Sequence, residues 1–184
     1  MHTTGLIAFG LCLVFALGTL GRHQHETFTL TSPAVKDGGP LPVEFTGDGT
    51  SATLPLVWYH TPKGTKGYAL IMHHVAPDMT KWYWILYNIP SDVQALPKNV
   101  HGIGISGTNS VNHRTVYAPP HSKGPGIKTY ILTLYALDGP LNPGAPETVS
   151  RDMLLHAMDG HILGQAELHV TYDRTGVLTP PPAQ

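Results

Sequence analysis

Polarity alternates with a period of two through much of this chain, and that repeat limits the fold more than any other feature. Ala166, Leu168, Val170 and Tyr172 alternate with Glu167, His169, Thr171 and Asp173, and Phe28 and Leu30 alternate with threonines. Successive side chains of a strand point to opposite faces, so this pattern builds strands with one buried face and cannot supply the apolar stripe of a helix. Tyr68 to Met72 also reads as a strand. Trp82 to Ile89 and Tyr130 to Leu137 are apolar on both faces and rich in aromatic and branched residues, as suits central strands covered on both sides. One helix is expected from about Ser150 to Asp159, with Ser150 as N-cap, Asp152 in the first turn, Met153, Leu154, Ala157 and Met158 as the apolar face, and Gly160 ending it. A short helical turn is expected after Pro90. Between Pro97 and Gly126 lies a stretch rich in Gly, Asn, Ser and Pro with little periodicity, and loops of that length in compact domains are usually functional or disordered.

The 184 residues, with 20 Gly and 17 Pro, suit one turn-rich, mainly β domain. A formal net charge of -1 removes any general electrostatic reason to bind nucleic acid. Residues 1–21 read as a signal peptide, because the apolar run Leu6 to Leu20 is followed by the polar Arg22 to Glu26. Cleavage is expected before Thr19 or Arg22, which exports the protein to the periplasm or the extracellular space; an uncleaved anchor is the alternative. The single cysteine, Cys12, lies inside this run, so the mature domain, residues 22–175, has no thiol for a disulfide, nucleophile or metal ligand. Residues 176–184 form a Pro-rich tail.

Four blocks follow one another at domain-scale spacing. They are Leu54-Pro-Leu-Val-Trp58 with Thr61-Pro-Lys-Gly-Thr65; Ala69-Leu-Ile-Met-His-His74 leading to Trp84-Ile-Leu-Tyr-Asn-Ile-Pro90; Ala118-Pro-Pro120 with Tyr130 to Asp138; and Ala157-Met-Asp-Gly-His-Ile-Leu163. Together they resemble the phosphatidylethanolamine-binding (Raf kinase inhibitor-like) family, short bacterial branch, from about Thr27 to Arg174. The resemblance implies a central antiparallel Greek-key sheet, a smaller second sheet and a short C-terminal helix. It also implies ligand binding rather than catalysis, in a pocket where an Asp-Pro-Asp strand end, a His, a Pro-Pro loop and a His-x-Tyr meet. At those places this chain has His73 and His74, Tyr83, Pro119 and Pro120, and Lys128 before Tyr130, with His121 beside the prolines. Imidazole, phenol and ammonium have replaced the family's acids and imidazoles.

That exchange favours a small anionic ligand. Lys128 carries a fixed charge, a histidine protonates near pH 6.5, and Tyr83 and Tyr130 can donate. The turn around Gly124 to Gly126 offers backbone N–H groups. Neighbours on a strand face opposite ways, so only one of His73 and His74 can line the pocket; the ungapped count selects His74. Each of these residues also has a structural reading: strand-end histidines bonded to backbone, a packed Tyr83, a solvated Lys128, and a Pro-Pro loop that is simply a pre-set turn, with a cis bond as one form of it.

Twelve histidines raise the alternatives of a metal site or a histidine-dependent hydrolase. No His-x-x-x-His pair or Cys partner supports a metal site, and Ser106 is not in a Gly-x-Ser-x-Gly elbow. No metal, cofactor or enzymatic activity is expected. A third alternative is an interaction module with a vestigial pocket. The expected state is a monomer or weak dimer.

Overall fold

The computed structural model describes residues 26–121 and 126–174. The signal-like segment with Cys12, His23 and His25, the tail, and most of the Gly124 turn lie outside the described residues.

The strands are β1 (Thr29–Thr31), β2 (Gly39–Pro40), β3 (Leu56–Tyr59), β4 (Gly67–Val75), β5 (Thr80–Pro90), β6 (Ala95–Leu96), β7 (Ile105–Ser106), β8 (Lys128–Leu137) and β9 (Ile162–Tyr172), with helix α1 (Arg151–Met158) between the last two. They form a six-stranded sheet in the order β2-β9-β8-β4-β5-β7 and a three-stranded sheet in the order β1-β3-β6. β4, β5 and β7 follow one another within the large sheet, and β8 returns to the free side of β4, which is the Greek-key order. One edge departs from the expected antiparallel sheet: β2 pairs in parallel with β9.

The alternation in the sequence becomes two cores. On the inner face Tyr68, Leu70, Met72, Trp84, Leu86, Tyr130, Leu132, Leu134, Leu168 and Val170 pack against Leu56 and Trp58 of the small sheet. On the outer face Ala69, Ile71, Ile85, Tyr87 and Leu137 pack under Leu154 and Met158 of α1. β4 and β5 are thus covered on both sides, which is why their sequences lack polar alternation. α1 starts where its cap residue predicts, with the Met153 N–H donating to Ser150 Oγ.

Two bulges re-aim β5. Tyr68 pairs with Ile89 but Leu70 with Leu86, and Met72 pairs with Trp84 but His73 with Trp82. β5 therefore carries an extra residue at each shift. At the first, Asn88 takes φ 51° and exchanges hydrogen bonds with the backbone of Leu141. At the second, Tyr83 is the extra residue, so Tyr83 and Trp84 both face the inner core.

The aperiodic stretch after Pro97 is ordered by Asn109, a fully buried polar residue. Its amide donates to Asn112 Oδ1 and to the Arg114 and Val116 carbonyls, and its Oδ1 accepts from the Val111 and Asn112 N–H groups. The stretch then runs along β5: Gly107 N–H donates to Ile85 O, Ser110 N–H to Trp82 O and Ala118 N–H to Tyr83 O. The expected helical turn after Pro90 is instead a tight turn, Val93 N–H to Pro90 O, because the chain must cross at once to the small sheet and pair as β6 with β3. No cis peptide bond occurs among the described residues, so Pro119 and Pro120 turn the chain in trans.

Candidate functional site

Below the Tyr83 bulge, His74 of β4 lies opposite Lys81 of β5. Lys81 and Tyr83 are two residues apart on one strand, as are Lys128 and Tyr130 on β8, so each pair shares a face. The loop held by Asn109 brings Ser110 and Val111, and its hydrogen bond to Tyr83 O brings Pro119 and His121. The result is a cleft of about 530 Å³ lined by His74, Lys81, Tyr83, Pro119, His121 and Lys128, with Ala76, Pro77, Ser110 and Val111 completing the wall. No carboxylate belongs to that lining.

Tyr130 lies beneath, fully buried, its ring 5.4 Å from His74 and edge-on to Tyr83 at 5.0 Å. The Tyr130 hydroxyl lies beside that of Tyr83 and makes no well-formed hydrogen bond among the described residues. Burial raises the pKa of both phenols, so both keep their protons at neutral pH and can act as donors. His74 Nδ1 lies 2.8 Å from the Thr129 carbonyl. A carbonyl oxygen only accepts, so Nδ1 carries the hydrogen and Nε2 is the nitrogen left for a ligand.

His73 does not take part. It faces the outer side of the sheet, where its electrostatic neighbours are Arg151 of α1 and Glu167 and His169 of β9. Burial, aided by Arg151, lowers its pKa below 6.5, which keeps it neutral. The alternation that puts His74 into the cleft excludes its neighbour. Pro120 is buried and acts through its carbonyl, which accepts from the Gly47 N–H at 2.8 Å.

Two contributors were not anticipated. Lys81 was legible, since it stands one strand period before Tyr83. Asp48 had no local signal: the Thr46–Gly49 turn lies far away in sequence, and only the fold brings its carboxylate to 3.4 Å from His121 Nδ1. Asp48 also accepts from the Tyr172 hydroxyl and from Arg174 Nε. The Tyr172 bond, with Arg174 and His121 beside it, outweighs burial and holds the Asp48 carboxyl below its usual range.

A β-dominated sandwich with this Greek-key order, one capped helix before the last strand, and a cleft between a strand bulge and a Pro-Pro loop can be compared with known proteins. Residues 31–173 match the family model for phosphatidylethanolamine-binding proteins. The chain belongs to the phosphatidylethanolamine-binding protein family. A UPF0098 protein of the archaeon Methanothermobacter thermautotrophicus is 36% identical over 152 residues, covering 79% of this chain and 98% of that protein. The crystal structure of a phosphatidylethanolamine-binding protein homologue from Chlamydia trachomatis superposes with a TM-score of 0.74 at 31% identity, covering 80% of this chain and 98% of that one. The family member YbcL of Escherichia coli superposes at 0.72 with 22% identity, covering 80% and 99%, and shows the shared fold. Among the described residues of this family member, no three His, Cys, Asp or Glu side chains group as a metal site would require.

A second concavity of about 330 Å³ lies at the β5–β7 edge, with Trp84, Leu86, Ile103 and Tyr117 in its wall. None of the ligand-binding residues expected from the sequence lines it.

Proposed function

We propose that this protein is an exported binding protein whose cleft takes a small anion, phosphate or carboxylate. One observation carries the reading: Lys81, Lys128, His74 and His121 line one cleft whose wall, among the described residues, contains no carboxylate. Two ammonium groups give a permanent positive field and, in a cleft, their fields add. His74 presents Nε2, which becomes a donor on protonation, and the phenol of Tyr83 supplies a neutral donor. The Tyr130 hydroxyl beneath lies beside that of Tyr83, so the two phenols can share one donor path into the cleft.

Export rests on separate support. The apolar run Leu6 to Leu20 has signal-peptide character. A Mycobacterium tuberculosis protein named as a lipoprotein is also 28% identical over 203 residues, covering 94% of this chain and 98% of that protein. N-terminal sequencing from the native cells should begin at Thr19 or Arg22; recovery of Met1 on a cytosolic protein contradicts it.

The test of the cleft is calorimetric titration of phosphate, phosphorylethanolamine and acetate at fixed pH and two ionic strengths. Affinity for phosphate should weaken with added salt, because the attraction comes from the two ammonium groups in the lining. Phosphate binding that is absent, or that survives unchanged in a Lys81→Ala/Lys128→Ala double variant, refutes the proposal.

A further inference from the structure

The cleft wall is held from behind by a carboxylate that does not line it. Asp48 is only 11% exposed at its side chain, and its oxygens are engaged by the Tyr172 hydroxyl, by Arg174 Nε at 3.0 Å and by His121 Nδ1 at 3.4 Å. Its own turn is set by Thr46, whose Oγ1 accepts from the Asp48 N–H at 3.2 Å and donates to Val43 O at 2.8 Å. The Gly47 N–H donates to Pro120 O, tying this turn to the Pro-Pro loop. A Cβ at Gly47 would stand 2.7 Å from the His121 Cβ and Nδ1. Residues 119–121 and 172–174 therefore both meet the 46–49 turn at one carboxylate, that of Asp48.

We propose that Asp48 is a positioning residue for the anion site: it holds the His121 ring with Nδ1 turned to its carboxylate and Nε2 turned to the ligand. The proposal rests on the reading of the cleft as an anion site. The chemistry follows from what a carboxylate can do. An ionised carboxylate only accepts, so neutral His121 facing it keeps its hydrogen on Nδ1. When the ring gains a second proton it goes to Nε2, and the cleft acquires a donor without any movement of the ring. His74 is arranged in the same way by a backbone carbonyl, Thr129 O. The other charged or titratable groups of the lining are His74, Lys81, Lys128 and Tyr83, with Tyr130 beneath, and among the described residues no carboxylate shares the lining with the protonated ring. Asp48, already engaged by Tyr172 and Arg174, stays behind the wall and does not repel the ligand.

The test begins without ligand. Long-range 1H–15N spectra of histidine-labelled protein at pH 8 should show His121 as the Nδ1–H tautomer. Asp48→Ala should return it to the Nε2–H form that imidazole prefers in water. A wild-type His121 in the Nε2–H form overturns the proposal, and this measurement needs no variant to fold. The second arm is phosphate titration at pH 6. Asp48→Ala should weaken binding roughly tenfold, as for one hydrogen bond to a charged group. In the Asp48→Ala/His121→Ala pair the loss should be no greater than in His121→Ala alone; independent, additive losses overturn the proposal. If wild-type protein binds no phosphate at all, the anion reading fails, and the tautomer still decides the role of Asp48.

Discussion

Tyr130 is buried under the cleft, its hydroxyl beside that of Tyr83 and without a well-formed hydrogen bond among the described residues. A buried donor that is poorly paired adds little stability, so Tyr130→Phe should leave the melting temperature unchanged or raise it while weakening phosphate binding. A drop in melting temperature would show that the hydroxyl is satisfied within the protein. Lys128→Ala should cost about 1 to 3 kcal/mol of phosphate binding, the scale of a hydrogen bond between charged groups. Tyr83→Phe should cost less, since a neutral donor is lost, and His74→Asp should depress phosphate binding by placing an acid in the lining; calorimetry of the three variants checks the order. Half of the lining was legible at this scale, Tyr83, Pro119, His121 and Lys128 through the resemblance, and His74 through the ungapped count once strand alternation allowed only one of the two histidines. Asp48 was not, because no pattern near residue 48 says that residues 121, 172 and 174 will arrive beside it.

Asn109 does for the loop after Pro97 what a hydrogen-bond ladder does for a strand. Its one side chain satisfies two N–H groups and reaches two carbonyls, and the loop it fixes covers the outer edge of β5. An uncovered edge would be a template for pairing with another chain. Asn109→Ala should therefore destabilise the protein by roughly 2 to 4 kcal/mol, as several buried groups lose partners together, and should increase aggregation; denaturant melts and light scattering measure both. In α1, Ser150→Ala should cost about 1 kcal/mol through loss of the cap, and Leu154→Ala about 2 to 5 kcal/mol through a cavity between helix and sheet. Helix α1 was legible to within a residue because cap and terminal glycine agree, but its apolar face is narrower than expected: Leu154 and Met158 are buried, Met153 is exposed and Leu155 packs in its place. The bulges in β5 were not, since a run that is apolar on both faces looks the same in either register.

For the whole molecule, two shifted groups on opposite faces of the sheet give stability a defined pH dependence. His73 has a folded-state pKa below 6.5. Below that pH the unfolded chain takes a proton that the folded protein refuses, so this group lowers stability as pH falls through 6.5 towards its folded value. His73→Asn should flatten that limb. Asp48 has its folded pKa depressed, so its contribution is full above the ordinary carboxylate pKa of about 3.9 and is lost as pH falls through the folded value. Asp48→Asn should remove that limb selectively. Urea melts from pH 8 to pH 2.5 on wild type and both variants measure the differences; a His73→Asn curve parallel to wild type would show that the residue is not shielded as the structure indicates.

The order of the long strands and the helix, the central place of β5 and β8, and the side of the sheet each residue of a regular strand faces follow from local pattern, because burial on a pleated sheet has a period of two and a helix needs its caps. The parallel pairing of β2, the trans Pro-Pro turn, the bulge that turns Tyr83 inward beside Trp84, and the meeting of Asp48 with His121 were decided by tertiary structure. Each of these depends on contacts between segments tens of residues apart, for which one-dimensional periodicity carries no information.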